Sequence, residues 1–207
     1  MGNGLSLLIS ASAIVISSLT AWLTFFRRGE LRMTRPTVVF FGPDGGRETG
    51  EAALPKVFLR TLLYSTSHRG QTVESLHINL QRGESRQNFS VWIYGEKHNL
   101  ARGSGLFVGA DGMACNHHFL LPKDGASFQF LAGEYTLRIF AKRVRDRDPH
   151  LLHEVHLRIT DHEAENLTNP NAGIYFDWGP DQQTYHAHID IRKQRPLSPF
   201  LFEANEE

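Results

Sequence analysis

The side chains best equipped for chemistry in this chain are its eleven histidines and its single cysteine, Cys115. His118 closes the run Asn116-His117-His118 and is of the residue type used for a general base, an imidazole that titrates near neutrality. In Tyr185-His186-Ala187-His188-Ile189-Asp190, apolar and polar residues alternate. A strand with that pattern turns Tyr185, Ala187 and Ile189 to a core. It sets His186, His188 and Asp190 on the other face, where two or three could meet one zinc-type ion, with His117 or His118 as a further ligand. Cys115 and His117 also share a strand face. Such a thiol–imidazole pair is nucleophilic only at an accessible, electropositive site, so a structural cysteine is the simpler reading. His153 and His156 are three apart, which on a strand puts them on opposite faces and rules out chelation.

One longer stretch combines several of these features. Gly103-Ser104-Gly105-Leu106-Phe107-Val108 is followed by the turn Asp111-Gly112 and then Asn116-His117-His118-Phe119. It resembles the segment of trypsin-like serine proteases that carries the catalytic histidine, and the resemblance implies His118 as the base. A triad also needs a serine in a glycine-rich loop whose amides hold the oxyanion. Downstream of His118 the only serines are Ser127, in Gly-Ala-Ser-Phe, and Ser198, in Leu-Ser-Pro. Neither has that context, so the simpler reading is a strand–turn–strand hairpin. No phosphate-cradling glycine loop is present, no second ligand cluster has recognised metal spacing, and no cofactor is expected.

The elements that must position these residues are strands. Period-two alternation dominates from about residue 37 to 192. Candidate strands are Thr37–Phe41, Lys56–Tyr64, Glu74–Leu80, Asn88–Tyr94, Leu106–Val108, His118–Leu121, Tyr135–Lys142 and Leu151–Ile159. A terminal hairpin is expected from Ile174–Trp178 and Thr184–Ile191. Phe89, Val91 and Ile93 should share one face, leaving Trp92 and Tyr94 opposite. Phe140 falls opposite Tyr135, Leu137 and Ile139. These three aromatics are the interface candidates if one sheet face is open, and core if both are covered.

Short strands with turn signals about every ten residues imply a sandwich or barrel. The run Phe130-Leu131-Ala132-Gly133-Glu134-Tyr135-Thr136-Leu137-Arg138-Ile139 resembles the late-strand region of immunoglobulin-like and fibronectin type III-like domains. There a Leu-x-x-Gly-x-Tyr run precedes an alternating strand and the tyrosine closes a corner. The resemblance implies an all-β, immunoglobulin-like antiparallel sandwich and no particular function.

Before the strands, residues 4–26 carry no charge and reach the roughly 20 residues needed to span a bilayer. Arg27, Arg28, Arg32 and Arg35 follow, against Glu30 alone. The positive-inside rule therefore predicts a single-pass helix with the N-terminus outside and the C-terminal domain cytoplasmic. A cleaved signal is the rival reading, but it would need a basic start that is absent here. Ser6, Ser10, Ala13, Ser17, Thr20 and Thr24 form a small-residue stripe, compatible with homo-oligomerisation through the membrane helix. The 22 basic and 22 acidic residues balance, so no global field attracts nucleic acid.

The expected division is a short N-terminus (1–3), a transmembrane helix (4–26), a basic linker (27–36), a sandwich (37–162), a hairpin extension packed on it (163–193) and a loose tail (194–207). The leading expectation is a membrane-anchored protein-binding or scaffold module. A membrane-tethered hydrolase or metal-dependent enzyme using His118 or His186 with His188 is second. A small subunit packed through its helix in a larger membrane complex is third.

Overall fold

The computed structural model describes residues 2–26, 29–44, 54–96, 99–103, 105–122 and 128–191. A helix, α1 (Gly2–Ala21), continues into one wider π turn at Trp22–Phe26. Its span Gly4–Thr24 is long and apolar enough to cross a membrane, and the same properties suit an N-terminal signal. Its most apolar window is 0% buried, and the hydroxyls of Ser12 and Thr20 bond back to the carbonyls of Leu8 and Ile16.

Among the described residues thirteen strands follow: β1 (Leu31–Met33), β2 (Val38–Pro43), β3 (Pro55–Ser65), β4 (Gln71–Arg82), β5 (Ser85–Phe89), β6 (Val91–Tyr94), β7 (Ala101–Arg102), β8 (Leu106–Val108), β9 (Met113–Leu120), β10 (Gly133–Arg143), β11 (His150–Ile159), β12 (Ala172–Gly179) and β13 (Thr184–Ile191). They form two antiparallel sheets. The larger has the order β13-β12-β2-β3-β9-β6-β7, with β1 also on β3; the smaller runs β11-β10-β4-β5, with β8 also on β4.

Alternation explains the core. Val39, Phe41, Val57, Leu59 and Leu63 point inward from the larger sheet, and Leu76, Ile78, Leu80, Leu137 and Ile139 meet them from the smaller, each at most 2% exposed. Full burial of such side chains contributes about 1.5–3 kcal/mol each. Phe41 ties the layers together, stacked on Phe130 at 5.0 Å and edge-on to Phe176 at 5.4 Å. The Tyr135 hydroxyl donates to the carbonyl of Leu131, four residues back along the chain, at 2.7 Å. On the outer face, Phe40 lies flat over the paired backbones of Gly42 and Gly173, where any β-carbon would overlap its ring. That burial leaves Phe40 only 1% exposed although it points away from the core.

The expected strands are present, but two are wired differently. Asn88–Tyr94 is not one strand. It breaks at Ser90, and the chain crosses from β5 in the smaller sheet to β6 in the larger. The crossing resets the alternation, so Phe89 and Trp92 both face the core while Val91 and Ile93 face out. Nor is 106–121 a hairpin, because β8 pairs with β4 and β9 with β3, and Gly109–Gly112 bridges the layers.

Register moves a third residue. A shift between Ile139 and Phe140 turns Leu151 outward, 51% exposed, although Val155, Leu157 and Ile159 of the same strand are core.

Two short elements lie where the pattern is weakest. β1 falls inside the basic linker. The helix α2 (Asp161–Asn166) opens with a capping box, in which Thr160 Oγ1 accepts from the Glu163 amide and Glu163 Oε2 from the Thr160 amide. The terminal hairpin β12–β13 is present and extends the larger sheet beyond β2.

Candidate functional site

β9 sends alternate residues to opposite sides of the larger sheet, and this separates its two histidines. His117 is fully buried. Its Nδ1 accepts the Trp92 indole N–H at 3.1 Å and its Nε2 lies 3.3 Å from the Cys115 sulfur. Burial, with His118 adjacent, lowers its pKa to about 4, so the ring is neutral near pH 7. Burial, helped by Glu96, raises the Cys115 thiol to about 11. The predicted pair therefore exists as contact, but the thiol is protonated and enclosed, the opposite of what a nucleophile needs.

His118 points outward and packs on Phe58, ring centroids 5.0 Å apart. Its strand neighbour Asn116 is engaged by Arg60 and Glu96. Ser104, Ser127 and Ser198 lie outside the described residues.

The second histidine group sits on β13. His188 Nδ1 is 3.3 Å from Asp177 Oδ2, and its ring stacks on Tyr175 at 5.4 Å. His186 instead covers Gly179, and Asp190 lies opposite Gly173. β13 and β9 are separated by β12, β2 and β3. At about 4.8 Å per strand, His118 is roughly 19 Å from this group, beyond any shared ion. His117 faces the core. Among the described residues no group of three or more His, Cys, Asp or Glu side chains could hold a metal.

The aromatic candidates divide. Trp92 is 4% exposed, and Tyr94 stacks on it at 4.9 Å and packs on the core. Both thus face inward, for the reason given by the break at Ser90. Phe140 is on the outer face of the smaller sheet, half-buried and stacked on His77 at 5.1 Å.

The basic linker is also built in. Arg32 pairs with Glu30, and the Arg35 guanidinium lies 3.9 Å from the Trp178 ring centre. Tyr185 donates to the Pro36 carbonyl at 2.7 Å. Arg27 and Arg28 lie outside the described residues. Ser6, Ser10, Ala13, Ser17, Thr20 and Thr24 are all exposed along the helix.

The feature that residue-type reasoning missed is an edge. β13 pairs only with β12 among the described residues, and most of its side chains are exposed. Its eight residues contain one charge, Asp190, and no lysine or proline. The strands at the other ends of the sheets are shorter or more charged: β11 carries Glu154, Arg158 and His156, β5 has five residues with Arg86 among them, and β7 has two residues. Natural edges usually carry such charges or are very short, because an open row of N–H and C=O groups invites another strand. The signal was the lone charge in the terminal strand, legible only once β13 is known to be outermost.

No family model matches the chain, and no curated protein matches it.

Proposed function

We propose that this chain is a single-pass membrane protein whose immunoglobulin-like sandwich is a binding module, recruiting a partner protein by strand addition to β13. The observation that carries this reading is the unguarded eight-residue edge of the larger sheet. Strand addition supplies main-chain hydrogen bonds for affinity and alternate side chains for specificity. Here the side chains on offer on one face are His186, His188 and Asp190, beside Tyr175 and Asp177.

The anchoring half rests on the uncharged helix and the arginines after it, which favour a cytoplasmic domain. A single cysteine, buried and unpaired, is in keeping with a reducing compartment. The corner hydrogen bond from Tyr135 to Leu131 supports the immunoglobulin-like assignment.

The test is crosslinking and capture from membranes with the full-length chain, the chain lacking residues 1–26, and full-length Ala187→Lys with Ile191→Lys. Both substituted side chains are exposed. A partner captured by the first two and lost with the lysine variant, at unchanged thermal stability, is the expected result. Equal capture by the lysine variant removes the edge. Capture that needs residues 1–26 moves recognition to the helix.

A further inference from the structure

The two ends of the sandwich differ in charge, and the end joined to the helix is the basic one. The described segments 29–32, 66–72, 105–112 and 143–149 converge there and hold five arginines against four carboxylates. The turns described at the far end, 82–85, 131–134 and 160–170, hold one arginine, Arg82, against Glu84, Glu134, Asp161, Glu163 and Glu165. At the basic end, Arg143 is spent on Asp146 and Arg32 on Glu30. Arg145 and Arg147 are exposed on the β10–β11 loop and make no ion pair among the described residues.

Two apolar side chains stand among these arginines. Phe107 is 62% exposed and Val144 is 60% exposed. They flank Thr72 from opposite sides, Phe107 as its cross-strand partner and Val144 through a hydrogen bond that its backbone N–H donates to the Thr72 carbonyl. With Gly29, Glu30, Gln71 and Arg145 they border an open cleft of about 560 Å³.

The helix cannot stray far from this surface. Gly29 is fixed to the domain, its carbonyl accepting from the Gln71 side-chain amide, and a β-carbon at this position would overlap Ser67. The next residue exchanges two hydrogen bonds with Thr66. Only two residues lie between Phe26, the end of the helix, and Gly29, so three Cα-to-Cα steps limit the gap to about 11 Å.

We infer that this end of the domain is a second membrane contact. Phe107 and Val144 enter the headgroup boundary of an anionic leaflet, and Arg145 and Arg147 pair with its phosphates and carboxylates. The occupant is lipid rather than protein because the helix, if it is the anchor proposed above, brings this surface to the bilayer at every moment. Apolar tips sink about 5–10 Å into such a boundary, and each arginine near an anionic surface adds to the attraction. The acidic far end is repelled by the same surface, so the domain stands upright with β13 accessible along its side.

The test uses full-length protein in nanodiscs of phosphatidylcholine, with and without phosphatidylserine. An environment-sensitive fluorophore is placed at Val144→Cys, at Glu84→Cys on the far end, and at Ile14→Cys in the helix; Cys115 is buried and stays unlabelled. Spin-labelled lipids report depth. The expected result is deep quenching at 14, shallow quenching at 144 that grows with phosphatidylserine, and none at 84. Phe107→Glu, or Arg145→Glu with Arg147→Glu, should bring the signal at 144 down to that at 84. Quenching at 14 with none at 144 overturns the contact while leaving the anchor intact. A signal at 144 indifferent to phosphatidylserine overturns the role of the arginines. Absence of quenching at 14 overturns the anchor, and this contact with it.

Discussion

The Trp92 indole N–H donates to Nδ1 of His117 across 3.1 Å inside the core. An indole nitrogen can only donate, so this bond fixes the imidazole as the neutral form with its proton on Nε2, directed at the Cys115 sulfur 3.3 Å away. Three polar groups are thus buried with partners in hand, and among the described residues no buried side-chain nitrogen or oxygen lacks one.

That arrangement makes stability depend on pH in a defined direction. The folded His117 pKa, about 4, lies below its value of 6.5 in the open chain. Between these values the unfolded state binds the proton and the folded state does not, so stability rises with pH across this window and falls as pH drops from 6.5 towards 4. The full loss is on the order of 3 kcal/mol. His77 and His153, also lowered by burial, act in the same direction. Urea unfolding of the full-length protein in detergent at pH 7.5, 6 and 4.5 should show a progressive fall in midpoint. His117→Gln should flatten much of that dependence while lowering stability throughout.

Cys115 should be silent to alkylation. Its thiol is enclosed and its pKa is about 11, so iodoacetamide at pH 8 should leave the native protein unmodified and label it fully in denaturant. Rapid labelling of the native protein, read by intact mass, would show that the Trp92–His117–Cys115 cluster opens.

Tyr135→Phe removes one hydroxyl and one hydrogen bond while keeping the buried ring. The loss should be about 1 kcal/mol, the Leu131 carbonyl being left without that donor. Equilibrium unfolding should show a lower midpoint at unchanged slope, meaning a weakened corner rather than a looser native state. No change in midpoint would mean the hydroxyl is energetically idle.

The sequence by itself determined the uncharged helix, most of the strands between β2 and β13 (not β7, and with β5 and β6 read as one) and the tyrosine that bonds back to Leu131. Each is encoded by neighbours along the chain: an unbroken apolar run, alternation with period two, and a turn spaced from an aromatic residue. It also separated His117 from His118, because adjacent strand residues face opposite ways. Only the tertiary structure decided which strand lies beside which. Alternation gives a strand two faces but does not say which sheet it joins, so the crossing at Ser90 that buries Trp92 and the one at Gly109–Gly112 that unmakes the expected hairpin were invisible locally. β12 pairs Ile174 with Phe41, far apart in the chain, and that pairing puts the terminal hairpin on the larger sheet and makes β13 its outer edge. The charge asymmetry is of the same kind. Its arginines come from three separate segments, and only the fold gathers them at the end joined to the helix.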